Sequence, residues 1–472
     1  MKIKGFITWA MIILLPLFIS QALIAEAMEQ KEHQQIQPPL KDGQAVTRVC
    51  LSCHEKEARD FMRTSHWSWT SLQEVAGVGH VKLGKRSAIN SFCIQASANW
   101  PRCTSCHAGY GWRDPSFDFN DPTRIDCLVC HDQTGEYKKS PAGAGNPEKG
   151  LDLVKIARRV GKPNRLNCGV CHFFGGGGDG VKHGDLDTSL LNPTGEFDVH
   201  MGTDTLDMTC QECHTATRHR IKGGAMVASP GHTNHLFCAD CHEEHQHQDS
   251  HLDRHALSVS CQTCHIPYIA KKNPTKVWWD WSKAGQKRPE TKDQYGMPAY
   301  DPRKGEFRWA KNLLPTYLWY VDGRASAYQM GDRIDPSKPT ALNWPVDGKE
   351  NPAARISPFK AFRGKQPYDK KHLYFIAPKL FGEGGFWETL DWRQAAEQGM
   401  AEAGLSFSGE VGFAETIMYW RLNHMVVPAD QALNCKDCHI KEGGRLDWKA
   451  LGYEGDPRSL PRQARVKSWK NK

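Results

Sequence analysis

Apolar residues are scarce in this sequence: 39% of its 472 residues are hydrophobic, below the roughly 45–50% apolar share of ordinary globular domains. Long apolar runs are scarcer still. The run from Phe6 to Ile19 falls short of the about 20 residues a membrane-spanning helix needs. No later stretch approaches it, so an integral membrane body is excluded. No cluster of lysine and arginine marks a nucleic-acid surface, and nucleic acid is not an expected partner. A stretch of 169 residues, Ile266 to Asn434, has no cysteine at all. A chain this poor in apolar side chains, yet holding 42 Gly, 27 Pro and 16 Trp, needs another source of core.

The N-terminus explains its own apolar run. Lys2 and Lys4 precede it, and Ala25-Glu26-Ala27 follows with a small-x-small cleavage signal. That is the layout of a secretory signal peptide over residues 1–27, with an uncleaved anchor as the alternative. The mature chain is expected to start near Met28, in the periplasm, with no stable membrane insertion after cleavage. Setting residues 1–27 aside removes two lysines and one glutamate, which takes the formal charge from +8 to +7.

Cysteine supplies the missing core. Sixteen of the 17 cysteines form Cys-x-x-Cys pairs, each followed at once by histidine: Cys50/Cys53/His54, Cys103/Cys106/His107, Cys127/Cys130/His131, Cys168/Cys171/His172, Cys210/Cys213/His214, Cys238/Cys241/His242, Cys261/Cys264/His265 and Cys435/Cys438/His439. Two thiols at this spacing reach the two vinyl groups of one haem, and the adjacent imidazole ligates the iron. Disulfide frameworks and zinc ribbons also use paired cysteines, but neither accounts for a histidine after every pair. The sequence therefore predicts eight covalently attached haems c. Their propionates would offset the basic excess and engage arginines and lysines. Cys93 is left over, either as an inert buried thiol or as a reactive one.

Seven motifs crowd residues 28–265, and the eighth begins residues 435–472, which end in a basic tail. The expected fold class is mainly α with extensive irregular structure, a multihaem cytochrome c organised around a haem cluster. The region 266–434 is expected to be haem-free, helical and Trp-rich, with helices at Phe386–Ala403 and Ala414–Met425, covering the cluster.

Fourteen histidines lie outside the motifs, and low-spin haems need seven or eight of them as second axial ligands. The candidates are His66, His80, His183, His200, His219, His232, His235, His245, His247, His251, His255, His372 and His424. His33, near the cleavage point, is least suited. The tract from His242 to His255 could bind a free metal, but lying between two motifs it is better placed to feed sixth ligands to their irons. An enzyme must also keep one iron accessible. The Gly175–Gly178 run delivers Asp179, Lys182 and His183. Such a loop is either plain solvent-facing chain or, on a rigid scaffold, part of a site.

Eight motifs, seven clustered and one distant, together with Cys93 and the Asp179/Lys182 segment, resemble the octahaem tetrathionate reductases of bacterial periplasms. The resemblance spans the mature chain. The Cys-x-x-Cys-Lys motif of pentahaem and octahaem nitrite reductases and the widened motif of octahaem sulfite reductases are absent, and nothing marks a tyrosine for the crosslink of hydroxylamine oxidoreductases. The resemblance implies an active second haem, held by Cys103 and Cys106, with Lys182 at its iron and either sharing it with His107 or leaving one face open. It further implies Cys93 and Asp179 as pocket residues, a small inorganic anion as substrate, and a membrane quinol dehydrogenase or small periplasmic cytochrome as donor. Tetrathionate is the expected substrate. Nitrite or hydroxylamine reduction at the same haem, and a non-catalytic electron carrier, are the alternatives.

Overall fold

The computed structural model describes residues 33–91, 95–224, 235–243, 247–440 and 442–459. The signal peptide, Cys93, His232, His245 and the basic tail after Leu460 lie outside the described residues. No helix among those described is long and apolar enough to cross a membrane.

The N-terminal half is built from short helices strung on irregular chain. The longest is α1, Gly43–Phe61, whose N-cap Asp42 accepts from the Ala45 N–H. The fourth motif closes α2, Arg165–His172, which opens on an Asn164/Asn167 capping box. The first motif lies within α1, and others sit on single turns such as Cys210–Cys213, Cys261–His265 and Cys435–Cys438. One turn is what the chemistry asks for, because residues three apart share a helix face and both thiols then point the same way.

The cysteine-free stretch corrects the expectation of a mainly α protein. Helix makes up 24% and strand 20% of the molecule, and a nine-stranded sheet lies in this region. Its main strands are β1 (Thr275–Asp280), β2 (Gly305–Ala310), β3 (Thr316–Tyr320), β4 (Arg355–Asp369) and β5 (Val411–Arg421). β4 is central: it runs antiparallel to β5 from Phe359↔Arg421 to Asp369↔Val411 and parallel to β1. The helix expected over Ala414–Met425 is therefore strand. Its apolar positions suit a 3.6-residue repeat, but Phe413, Ile417, Tyr419 and Trp420 are aromatic or β-branched, and an eleven-residue partner in β4 decides the outcome. The other helix forms in two pieces, Phe386–Thr389 and α3, Trp392–Ala403, which is N-capped by Asp391 and stopped by Gly404 at φ 71°.

Two aromatic clusters carry the packing. Trp281, Phe362, Phe375, Phe386, Met418 and Trp420 fill the space between sheet and α3. Trp67, Trp100, Trp112 and Phe117 form the second, around the Cys103/Cys106 motif. Each fully buried side chain of this size contributes roughly 1.5–3 kcal/mol.

Candidate functional site

Seven of the eight motif histidines face a second histidine across a nearly constant gap. Ring centroids lie 6.1 Å apart for His54–His33, 6.4 Å for His131–His219, 6.2 Å for His172–His66 and 6.2 Å for His214–His424. The same gap is 5.9 Å for His242–His200, 6.5 Å for His265–His247 and 6.2 Å for His439–His255. Two imidazoles on one metal, each about 2 Å from it and with a further 1 Å or so from nitrogen to ring centre, need roughly 6.3 Å. The pairs fit iron on both faces.

Ring orientation gives a second test. A ligating histidine usually donates Nδ1–H to a carbonyl or carboxylate, leaving Nε2 for the metal. His131 bonds Gly161 O through Nδ1 at 2.9 Å, His214 bonds Lys222 O at 2.8 Å, and His255 bonds His251 O at 2.8 Å. Carboxylates serve three more: Asp253 for His247 at 2.9 Å, Asp185 for His424 at 3.2 Å and Asp456 for His439 at 2.6 Å. Burial holds His66 down and His172 to about 3, so both rings stay neutral, the form that ligates. Burial also pushes His424 down, but Asp185 more than reverses this.

His33, the residue judged least suited, is thus opposite His54. The start of the mature chain leaves room for it ahead of α1, and that was the available signal. Within the histidine-rich tract, His247 faces His265 of a flanking motif, whereas His255 faces His439 of the distant eighth. Other candidates lie elsewhere. His80 is exposed on a hairpin strand opposite Glu74, and His251 bonds Asp249. His183 packs on Trp420, His235 on Phe237 and His372 on Tyr374.

The second motif shares the spacing of the others but not the surroundings of its histidine. His107 is completely buried and faces no histidine among the described residues. Trp112, Trp67, Trp69 and Phe117 surround it at 4.8, 5.2, 5.3 and 5.6 Å. Its Nε2 lies 2.7 Å from the Trp67 carbonyl, and its Nδ1 is buried without a hydrogen-bond partner. The orientation is the reverse of that of His131, His214 and His439, which bond through Nδ1. Burial lowers its pKa to about 3, so the neutral ring donates Nε2–H to that carbonyl.

Lysines gather here instead. Lys182 is drawn down to about 7 by burial, with Lys85 adding to the shift and Cys106 opposing it. Much of it is then free amine near neutral pH. Its Nζ sits 4.6 Å above Trp420. Lys85 lies 4.4 Å over Trp69, and Lys139, paired with buried Asp126 at 2.8 Å, donates to the His107 carbonyl. Asp179 is engaged with the loop itself: its carboxylate accepts from Thr188 N at 2.9 Å, the Thr188 hydroxyl at 2.5 Å and Asn273 at 3.2 Å. Lys85, Lys139 and Asp126 were not singled out in the sequence, because nothing local marks them.

The attachment sulfurs form a connected series. Cys50 lies beside Cys127, Cys106 beside Cys171, Cys168 beside Cys210 and Cys238 beside Cys261. Cys168 also senses Cys130, Cys213 senses Cys241, and Cys264 senses Cys438. The motifs thus run 1–3–4–5–6–7–8, and the second branches from the fourth.

Comparison with known proteins agrees with this arrangement. Residues 276–442 match the family described as cytochrome c bacterial. An uncharacterised protein of Archaeoglobus fulgidus is 24% identical over 224 residues, covering 37% of this chain and 74% of that one. The crystal structure of an octahaem cytochrome c from Shewanella oneidensis is 50% identical, spans 91% of this chain and 98% of its own, and superposes with a TM-score of 0.87. A relation that close over whole chains, with eight motifs on the page, settles the family and the covalently bound haem c: the chain belongs to the octahaem c-type cytochromes.

Proposed function

We propose that this cytochrome is a periplasmic reductase that takes a small inorganic anion, tetrathionate, at the second motif, while the other seven motifs relay electrons. The observation that carries the reading is the inverted His107. It commits Nε2 to a backbone carbonyl, and the buried amine of Lys182 lies beside the same motif. Seven histidine pairs describe a conduit, and the eighth position is built differently.

The haems would supply one-electron transfer throughout and, at the second motif, an iron whose ligation is not closed by two histidines. The chain's own residues do the rest. Lys182 is the candidate ligand to that iron, while Lys85 adds positive charge that draws a dianion inward; the charge of Lys139 is neutralised by Asp126. Tetrathionate accepts two electrons, its central S–S bond breaks, and two thiosulfates leave with no proton required. Trp67, Trp69 and Trp112 exclude water from the inner side and keep His107 withdrawn. Electrons reach the site through the Cys106/Cys171 contact, so the fourth motif is the sole neighbour feeding it among the sulfur contacts above. A quinol dehydrogenase or small cytochrome would dock near the far ends of the series, where Cys53 and Cys435 are exposed. If the Cys93 thiolate opens the central S–S bond by exchange, one thiosulfate leaves, a Cys93–S–S–SO3− disulfide forms, and the same two electrons then reduce it to the thiolate and the second thiosulfate.

The test is turnover by the purified holoprotein with reduced viologen against tetrathionate, nitrite and hydroxylamine, repeated with Lys182→Ala. Tetrathionate turnover that falls at least a hundredfold in the variant supports the proposal. Turnover of nitrite or hydroxylamine alone reassigns the substrate. Low-spin bis-histidine signals from all eight haems, with no turnover, would leave an electron carrier.

A further inference from the structure

Lys360 lies in the middle of β4 and is completely buried. Its cross-strand partner in β5 is Trp420, the ring on which Lys182 rests. Among the described residues no carboxylate pairs with its ammonium. The Nζ instead donates to Val181 O at 3.0 Å, Lys182 O at 3.1 Å and the Thr275 hydroxyl oxygen at 2.5 Å. Thr275, the first residue of β1, lies with its own hydroxyl 2.7 Å from Gly180 O and 3.0 Å from His183 O. Four consecutive carbonyls, 180 through 183, therefore converge on one buried amine and one hydroxyl, and the amine makes three polar contacts.

Convergent main-chain carbonyls are the usual surroundings of a bound hard cation. Here the cation is a side chain fixed in a sheet. The segment it holds is costly to order, since Gly176, Gly177 and Gly180 all take positive φ, at 84°, 93° and 63°, and glycine gives up more conformational freedom on ordering than any other residue. A buried charge is also a poor way to gain stability, because an apolar residue of similar volume is commonly as good or better. Lys360 needs a reason beyond packing, and the segment it grips carries Lys182.

We propose that Lys360, assisted by Thr275, is a positioning residue: it locks the main chain of residues 180–183 to the sheet so that the Lys182 side chain is presented to the second haem. This rests on Lys182 acting at that haem, as proposed above. Lys360 touches neither substrate nor iron in this scheme. It converts a Gly-rich loop into part of a rigid sheet, which suits a ligand that must be placed closely.

The experiment uses holoprotein with eight haems verified by haem content. Lys182→Ala is recorded first, to establish which paramagnetic signature belongs to the second haem. Lys360→Met is then expected to change that same signature, leave the seven bis-histidine signals in place, raise amide exchange at least tenfold across residues 175–188, and lower tetrathionate kcat at least tenfold. Thr275→Val should act in the same direction more weakly, and Thr275→Ser should restore the wild-type behaviour. If Lys360→Met does not assemble, the Thr275 pair decides. Unchanged exchange in 175–188, or raised exchange with an unchanged second-haem signature, overturns the positioning role. A Lys182→Ala protein indistinguishable from wild type overturns the functional reading itself, before Lys360 is altered.

Discussion

Haem 8 offers a direct measurement of how second-layer contacts tune these sites. His439 gives Nδ1–H to Asp456 at 2.6 Å, and the two side chains are 16% and 9% exposed. Burial pushes the Asp456 carboxyl up, but the bonds from His439 and the Arg458 N–H outweigh it and hold it below its usual value. It is therefore an anion at working pH. An oxidised iron draws density from the imidazole and makes Nδ1–H a stronger donor, so the bond favours the oxidised state. Replacing a charge-assisted hydrogen bond by a neutral one loses about 1–2 kcal/mol. Only the part of that loss that differs between the redox states moves a midpoint, so with 59 mV and about 1.4 kcal/mol per tenfold for one electron, Asp456→Asn should raise one midpoint potential by up to roughly 40–90 mV. The assay is a potentiometric titration followed by electron paramagnetic resonance. Asp253→Asn at haem 7 is the internal scale: its partner His247 is 36% exposed, and solvent should reduce the shift to half or less. Potentials unmoved in Asp456→Asn, or a larger shift from Asp253→Asn, would refute the reasoning.

Three more outcomes are expected. His33→Ala should add one haem equivalent of high-spin signal, since His33 stands 6.1 Å from His54; an unchanged spin count would remove His33 from the ligand set. Lys139→Met should lower holoprotein stability by about 3–5 kcal/mol, because it strands Asp126 in a fully buried position without its cation, and Lys139→Met combined with Asp126→Asn should recover part of the loss in thermal unfolding. Asp369 is fully buried and accepts from Lys371 N, His372 N, Ser408 N and the Ser408 hydroxyl. Burial opposes ionisation there, but the donors prevail and hold the carboxyl at about 2, below its ordinary 3.8. Its folded-state pKa is depressed, so its contribution is complete above about pH 4 and is lost as pH falls from there toward 2. Melting temperatures of Asp369→Asn should be flatter across that window than those of the wild type.

What could be read in the chain beforehand was whatever lies close in sequence. A Cys-x-x-Cys-His motif is five residues of self-contained chemistry, and the capped run at Trp392–Ala403 announces itself within a dozen. His247 and His255 could be suspected because they lie between two motifs. The sheet was hidden because β4 and β5 meet across more than forty residues, and because Met418 and Trp420 satisfy either period. Lys360 was hidden more deeply, since its bonds reach 179 and 178 residues back to Val181 and Lys182. His33 was passed over for its nearness to a cleavage site, although a ligand can lie anywhere the chain can reach.

The same distinction between local and distant contacts bears on why the second haem departs from the rest. Its attachment motif is ordinary, so nothing in Cys103–His107 itself forbids histidine ligation. The difference comes from what the fold packs against the imidazole. To turn toward the iron, His107 would have to leave the Trp67 carbonyl, stranding a buried acceptor at about 1–3 kcal/mol. It would also give up ring contacts with Trp112, Trp67 and Trp69, worth about 0.5–1.5 kcal/mol each where well oriented. Lys139, gripping the His107 carbonyl from the other side, keeps the backbone from following. Together these come to several kcal/mol against one side chain's rotation. On the other side of the balance, Lys360 anchors the segment that brings an amine to the same motif. On the proposed reading, an iron held at this motif would meet the Lys182 amine more readily than the His107 ring, because the approach of the one is already arranged and that of the other is opposed.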